Sequence, residues 1–160
     1  MSFEAATGLV VRDLDAGRFG QAFPLAKTAM PELRLDDWMG FLGRLSAEAQ
    51  GGALVVENQR GVMLAFAGFL TRHHLGAGCC LEVDPLFVMD LVGASAVVRI
   101  LEESLQQRTR QRGCQSLHLH LPHRGHEPAN DRALATLLDC GLAAESWRLQ
   151  KRLALPSHPD

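Results

Sequence analysis

Short apolar runs, rich in branched side chains and bounded by Gly, Pro, Asn or Asp, recur along the chain. Runs of this kind predict β-strands. The turn sequence NQRG at 58–61 separates two of them and predicts an antiparallel hairpin. Asp84-Pro85 lies inside another run, where it predicts a bulge or a bend. The predicted strands cover residues 8–14, 53–57, 62–72, 79–89, 116–121 and 144–155, the last being one strand or a pair.

Other stretches repeat apolar residues every three or four positions, which is the spacing of one helix face. The longest such stripe runs from Ala96 to Leu105, and Gly113 follows it in the position of a helix C-cap. Asp15 and Asn130 are predicted to cap the first and last helices, because short polar side chains satisfy free N–H groups at a helix start. The predicted helices cover residues 16–29, 36 or 37 to 50, 96–112 and 131–139.

The predicted order is therefore β-α-α-β-β-β-α-β-α-β. Interleaved strands and helices predict an α/β fold in the broad sense, an α+β arrangement with one mixed, mostly antiparallel sheet flanked by helices. At this length we expect one domain, covering residues 1–155, with residues 156–160 as a disordered tail.

Composition excludes several classes of protein. The chain has 160 residues, 47% of them apolar, and a formal net charge of -2. This balance argues against a nucleic-acid partner. The apolar runs are shorter than the roughly 20 residues that span a bilayer, and the N-terminus has no signal-peptide pattern. A cytoplasmic protein with four reduced cysteines is expected, since no CxxC pair is present.

The segment NDRALATLLDCGL at 130–142 resembles the last conserved helix of the GCN5-related N-acetyltransferases (GNAT superfamily). Asn130, Ala133 and Gly141 are in register with that family's asparagine, alanine and glycine. Leu137 stands where many members have a tyrosine, and Leu142 replaces a phenylalanine.

The segment LFVMDLVGASAVVRILEESL at 86–105 resembles the family's acyl-CoA pyrophosphate loop and the long helix that follows it. Small residues let the backbone approach phosphates, and the helix start offers free N–H groups and a positive dipole end. The loop is degenerate, because Val92 replaces the usual basic residue and the glycine repeat is incomplete. The small residues that keep the pattern are Gly93, Ala94, Ser95 and Ala96.

The resemblance covers nearly the whole chain in element order and implies a single domain with a GNAT-like fold. It also implies acetyl-CoA, or another acyl-CoA, as co-substrate. The loop residues and Asn130 would hold it, and so would the backbone of the preceding strand at Phe87, Val88 and Met89. In the family a carboxylate on that strand is often the general base, which here maps to Glu82. An exposed or arginine-paired strand residue is the ordinary alternative for Glu82.

The general acid is harder to assign, because the chain contains no tyrosine. His118 and His120 are candidate catalytic residues, since histidine can serve as acid or base near neutral pH. Ser95 and Cys140 are further substitutes. Proton transfer to solvent, a displaced acid, or a fold that binds without catalysis all stay open.

The stretch SLHLHLPHRGHEPAN at 116–130 raises a metal alternative. His118 and His120 are two apart on a strand, so their rings lie on one face. A zinc ion needs three or four ligands, which His123, His126 or Glu127 could complete. Half-buried histidines are the commonest outcome for such a pair, so no metal ligand is assigned.

The leading hypothesis is an acyl-CoA-dependent N-acyltransferase that transfers acetyl directly to a small-molecule or peptide amine within a ternary complex. The alternative is a catalytically inactive GNAT-like module with a binding or regulatory role. A homodimer is the oligomeric state considered for it. Neither hypothesis includes nucleic acid or a membrane as a partner.

Overall fold

A computed structural model of the chain describes residues 3–4, 8–89, 93–121 and 128–144. The strands are β1 (Phe3–Glu4), β2 (Val10–Asp13), β3 (Gly51–Glu57), β4 (Met63–His74), β5 (Gly78–Val88) and β6 (Ser116–Leu119). The helices are α1 (Phe19–Ala29), α2 (Leu35–Ala47), α3 (Ala94–Gln111) and α4 (Pro128–Asp139), with a 3-10 turn (Ala16–Arg18) before α1.

The six strands form one sheet in the order β1-β2-β3-β4-β5-β6. Neighbouring strands are antiparallel except β5 and β6, which are parallel because α3 connects them. The predicted mixed, mostly antiparallel sheet is confirmed. The short β1 was not predicted, and the predicted strand at 144–155 lies almost wholly outside the described residues.

Of the two predicted helix caps, the one at Asn130 is wrong and the one at Asp15 holds only in part. Helix α4 begins at Pro128, so Asn130 lies in its first turn rather than at its cap. Proline is favoured at the first helical position because its φ is already helical and it has no N–H to satisfy. Asp15 caps only the 3-10 turn, and its side chain makes no capping hydrogen bond there.

Apolar side chains cover both faces of the sheet. Alternate residues of β3, such as Leu54 and Val56, join a core that contains residues of α3 and α4. Their neighbours, such as Val55, join a second core with residues of α1 and α2. Buried Trp38 helps to hold that second layer, since its Nε1 donates a 2.8 Å hydrogen bond to the carbonyl oxygen of Phe19.

No helix in the described part of the chain combines the length and the apolar character needed to cross a membrane. The expectation of four reduced cysteines is wrong for two of them. Cys79 and Cys114 form a disulfide with their Cα atoms 4.7 Å apart, whereas Cys80 and Cys140 are free thiols. The sequence did not reveal this pair because it depends on the start of β5 lying beside the start of β6.

Candidate active site

Strands β5 and β6 separate partway along the sheet. Their parallel pairing ends at Val83 and Leu119, and the His120 N–H donates a 2.9 Å hydrogen bond to the Val83 carbonyl oxygen. Strand β5 continues to Val88, paired with β4. Among the described residues, the β6 side of β5 therefore has no partner strand beyond Val83.

Backbone groups of β5 face this opening. The Met89 N–H donates a 2.9 Å hydrogen bond to the Leu64 carbonyl oxygen, so Met89 faces β4. Because N–H and C=O groups alternate in direction along a strand, Phe87 also faces β4, whereas Leu86 and Val88 face the opening. Of the three strand residues predicted to bind the donor, Val88 presents its backbone to the opening, and Leu86, which was not predicted, does so too.

A bulge sets this alternation. Ala67 pairs with Leu86 and Phe69 pairs with Val83, so Asp84 and Pro85 together lie opposite a single β4 residue. The extra residue reverses which backbone groups face β6 on either side of it. The predicted irregularity at Asp84-Pro85 is confirmed, and it directs the Leu86 backbone into the opening.

The predicted phosphate loop lies at the start of α3. Gly93 is the N-cap residue with a φ of 95°, a left-handed conformation that favours glycine, and it adds no side chain. Among the described residues, a Cβ atom built on Gly93 would meet nothing within 4 Å. The Ser95 and Thr136 hydroxyl oxygens are 3.2 Å apart, which ties this turn to α4.

Glu82 lies on β5 among polar side chains from neighbouring strands. Its Oε1 is 3.4 Å from His120 Nε2, and its Oε2 is 3.6 Å from His74 Nε2. The His118 and His74 rings are 5.2 Å apart between centroids. Buried Cys80 completes what we call the His–Cys–Glu cluster: His74, Cys80, Glu82, His118 and His120.

Strand alternation explains how the cluster forms on one face of the sheet. Leu81 and Val83 point into the α3/α4 core, so Cys80 and Glu82 point to the opposite face. The same applies to β6, where Leu117 and Leu119 pack against the α3/α4 core. The two histidines between and after them therefore share the face of Glu82.

The structure thus brings together Glu82, His118 and His120, three residues singled out by sequence. The third histidine of the cluster, His74, was expected to be exposed in a turn. His74 is exposed, as expected, but it lies at the end of strand β4 and not in the turn, and it pairs with Gly78. Had the three-residue hairpin been recognised, its register would have placed His74 and Cys80 on the face of Glu82, because residues paired across two strands share a face.

Burial raises the pKa of the Cys80 thiol, and the nearby Glu82 carboxylate raises it further. Both effects disfavour the thiolate, so Cys80 is not arranged as an activated nucleophile. Leu137, which replaces the family tyrosine, is only 3% exposed in the α3/α4 core and has no proton to give. Near Glu82, groups with exchangeable protons come instead from the histidines and the Cys80 thiol of the cluster.

No protein-family model and no curated protein sequence matches the chain significantly. Solved structures do match it. Aminoglycoside antibiotic 6'-N-acetyltransferase AAC(6')-Ih from Acinetobacter baumannii is 12% identical with a TM-score of 0.72, over 92% of this chain and 99% of that chain. AAC(6')-Iy, solved with the bisubstrate analogue CoA-S-monomethyl-acetylneamine, is 15% identical with a TM-score of 0.70, over 92% and 99%.

A ribosomal-protein-alanine N-acetyltransferase from Brucella melitensis biovar Abortus 2308 is 18% identical with a TM-score of 0.67, over 91% of this chain and 99% of that chain. At such low identity these likenesses establish the fold. It is the fold of the GCN5-related N-acetyltransferases, as the sequence resemblance predicted.

Proposed function

We propose that this protein is an acyl-CoA-dependent N-acyltransferase that transfers an acetyl group from acetyl-CoA to an amine. The observation that carries the proposal is the opening between β5 and β6. Among the described residues, the β6 side of β5 is unpaired beyond Val83, the chain leads from the end of β5 to the start of α3, and Glu82 and His120 meet beside the end of β6.

The donor would bind along this opening. The diphosphate of acetyl-CoA suits the start of α3, where helix N–H groups lack intrahelical acceptors and the dipole favours negative charge. The amide-rich pantetheine arm could then hydrogen bond to the free edge of β5, as an added strand would. Backbone N–H groups at Leu86 and Val88 are the candidates to stabilise the thioester oxyanion.

The reaction would then be a direct transfer. A neutral amine attacks the thioester carbonyl carbon, a C–N bond forms, and the tetrahedral intermediate collapses with loss of the CoA thiolate. Glu82 would accept the proton that the amine loses. His120 and His74, both within 4 Å of its carboxylate, are placed to pass on or share that proton.

A specific observation favours a second candidate, a GNAT fold that binds acyl-CoA without catalysis. Buried Leu137 leaves the usual position of the general acid without a proton donor. The thiolate can still be reprotonated by solvent, which is why we rank catalysis first. The two candidates differ in turnover and not in donor binding.

Donor binding should be tested first, by calorimetric titration of acetyl-CoA and CoA and by thermal shift. Binding that raises the melting temperature supports both candidates, since a ligand stabilises the state it binds. No heat and no shift at millimolar ligand would exclude both. Thiol release from acetyl-CoA, followed over a panel of aminoglycosides, polyamines and peptides with free N-termini, then separates them.

Substitution of the proposed base gives the sharper test of catalysis. Glu82→Gln should lower kcat by about 100- to 10,000-fold, the usual worth of a general base, with the acetyl-CoA affinity unchanged. His73→Gln is the matched control, because His73 pairs with Cys79 on the opposite face of the same hairpin. Equal kcat values for Glu82→Gln and the wild type would exclude Glu82 as the base.

A further inference from the structure

Three side chains of the His–Cys–Glu cluster are arranged as metal ligands. His74, Cys80 and His118 each offer one nitrogen or sulfur atom, and these atoms all lie within 4.8 Å of one another. They come from the end of β4, the start of β5 and β6, so three adjacent strands fix their Cα positions. None of the three depends on a loop.

We propose that His74, Cys80 and His118 form a Zn²⁺-binding site. Two imidazoles and one thiolate are the ligand types that Zn²⁺ prefers, whereas Mg²⁺ and Ca²⁺ prefer oxygen. Three protein ligands leave the fourth tetrahedral position to water or to an added ligand. The ligand set differs from the HxH and loop set that the sequence suggested, since it includes His118 but not His120.

The geometry needs only a small adjustment. Zn–N and Zn–S bond lengths in a tetrahedral site place ligand atoms about 3.5 Å apart, so the widest pair here must close by about 1 Å. Cys80 is fully buried, and rotation of the His74 and His118 rings can supply the movement, since neither residue is buried.

Glu82 supplies a further feature of zinc sites. Ligating histidines ordinarily donate their second ring N–H to a carboxylate or a carbonyl, which orients the ring. Glu82 Oε2 lies 3.6 Å from His74 Nε2 and is placed for that role. Bound Zn²⁺ would also stabilise the Cys80 thiolate, with release of the thiol proton.

The test uses Co²⁺ as a spectroscopic probe and needs no acyl-CoA, so it is independent of the proposed enzymatic activity. The protein is purified without metal or reductant, which keeps Cys79 paired with Cys114. Stoichiometric Co²⁺ should produce a sulfur-to-cobalt charge-transfer band and tetrahedral visible bands. Zn²⁺ should then displace Co²⁺ and raise the melting temperature.

Variants locate the site. Loss of an outer-shell partner costs up to about 100-fold in metal affinity, and loss of a direct ligand should cost more. Cys80→Ser should therefore abolish the charge-transfer band and weaken Zn²⁺ binding by more than about 100-fold. His118→Gln should weaken binding comparably but keep a sulfur ligand. Cys140→Ser and His73→Gln are matched controls, a free cysteine and a histidine outside the cluster, and should bind like the wild type.

The wild-type spectrum alone can overturn the proposal, even if a variant fails to fold. Absence of the charge-transfer band at saturating Co²⁺ would exclude Cys80 as a ligand. A band that persists in Cys80→Ser and disappears in Cys140→Ser would place the metal elsewhere.

Discussion

At the scale of single residues, the environment of Cys80 combines burial with a neighbouring negative charge. The thiol is fully buried on β5, two residues from Glu82 and on the same face. Desolvation and the carboxylate both raise the pKa of the thiol. Cys80 should therefore ionise at higher pH than an ordinary cysteine, whatever its accessibility to reagents.

The raised pKa of the Cys80 thiol can be tested directly by alkylation. The rate of Cys80 alkylation, followed by mass spectrometry against pH, should reach its midpoint above that of an ordinary thiol. Glu82→Gln should move the midpoint to lower pH, because the negative charge that disfavours the thiolate is removed. The alkylation rate of free Cys140 in the same molecules should be the same with and without Glu82→Gln and serves as the control. A Cys80 midpoint that does not respond to Glu82→Gln would contradict the electrostatic effect.

Glu57 is a buried carboxylate, remote from the cluster in sequence. It is 5% exposed at the end of β3, where Arg18 forms a close ion pair with it and Arg12 Nε lies 3.4 Å from its Oε2. A buried carboxylate is stable only while a cation compensates for its lost hydration.

Arg18→Met should therefore lower the free energy of unfolding by about 2 kcal/mol, less than the loss of a fully buried pair because Arg18 is partly exposed and Arg12 persists. The matched control is Arg34→Met. Its pair with Asp36 spans 4.0 Å and both side chains are more than three-quarters exposed, so the change should stay within about 0.5 kcal/mol. Urea unfolding measures both, and equal effects would contradict the buried pair.

Sequence predicted part of the site at this scale. The parity of residues along predicted strands was sufficient to place His118 and His120 on one face. The contact of these two histidines with His74 and Cys80 was not predicted, because it depends on which residues of β4 pair with which residues of β5. Strand register is set by the hairpin at residues 75–77, and a one-residue slip would turn His74 to the other face.

At the scale of elements, the start of α3 is the feature on which the proposed donor binding depends. Gly93 caps the helix without a side chain, and no described residue lies within 4 Å of a Cβ atom added there. The usual basic residue of the family pattern is absent, so backbone N–H groups and the helix dipole would contribute most of the phosphate attraction. Such a site should be sensitive to one added negative charge.

Ala94→Glu should weaken CoA binding at least about tenfold, because a carboxylate in the first turn repels the diphosphate. The same change should leave the unliganded fold as stable or slightly more stable, since acidic residues favour a helix start. Gln107→Glu adds the same charge to an exposed position of α3 about 20 Å further along the helix. Calorimetric titration of CoA into both variants measures the two affinities. Equal losses of CoA affinity would argue against binding of the diphosphate at the helix start.

The accuracy of the sequence prediction differed between elements. The long stripe of α3 was predicted closely, because many residues contribute to its period. Strand β1 has only two residues, too few for any alternation to be visible. Leu86 could not be identified as facing the opening, because a bulge of one residue reverses the direction of every backbone group that follows it.

At the scale of the whole molecule, the sheet separates two apolar cores, one with α1 and α2 and the other with α3 and α4. The α1/α2 layer surrounds Trp38, whose ring lies 5.0 Å from Phe66 and 6.5 Å from Phe87 between centroids. The proposed opening and the His–Cys–Glu cluster involve β5, which contributes Phe87 to one core and Val83 to the other. Constraints on β5 therefore act on both layers and on the site together.

The Cys79–Cys114 disulfide is such a constraint, because it closes a loop of 35 residues containing most of β5 and all of α3. Loop-closure entropy predicts that Cys114→Ser lowers the free energy of unfolding by about 3–4 kcal/mol, or roughly 10 °C in melting temperature. Cys140→Ser should have little effect. Reductant should lower the wild-type melting temperature to that of Cys114→Ser, which separates the loss of the bond from the substitution itself. Four titratable thiols in protein unfolded without reductant would contradict the pairing, whereas two would leave Cys80 and Cys140 as the free thiols.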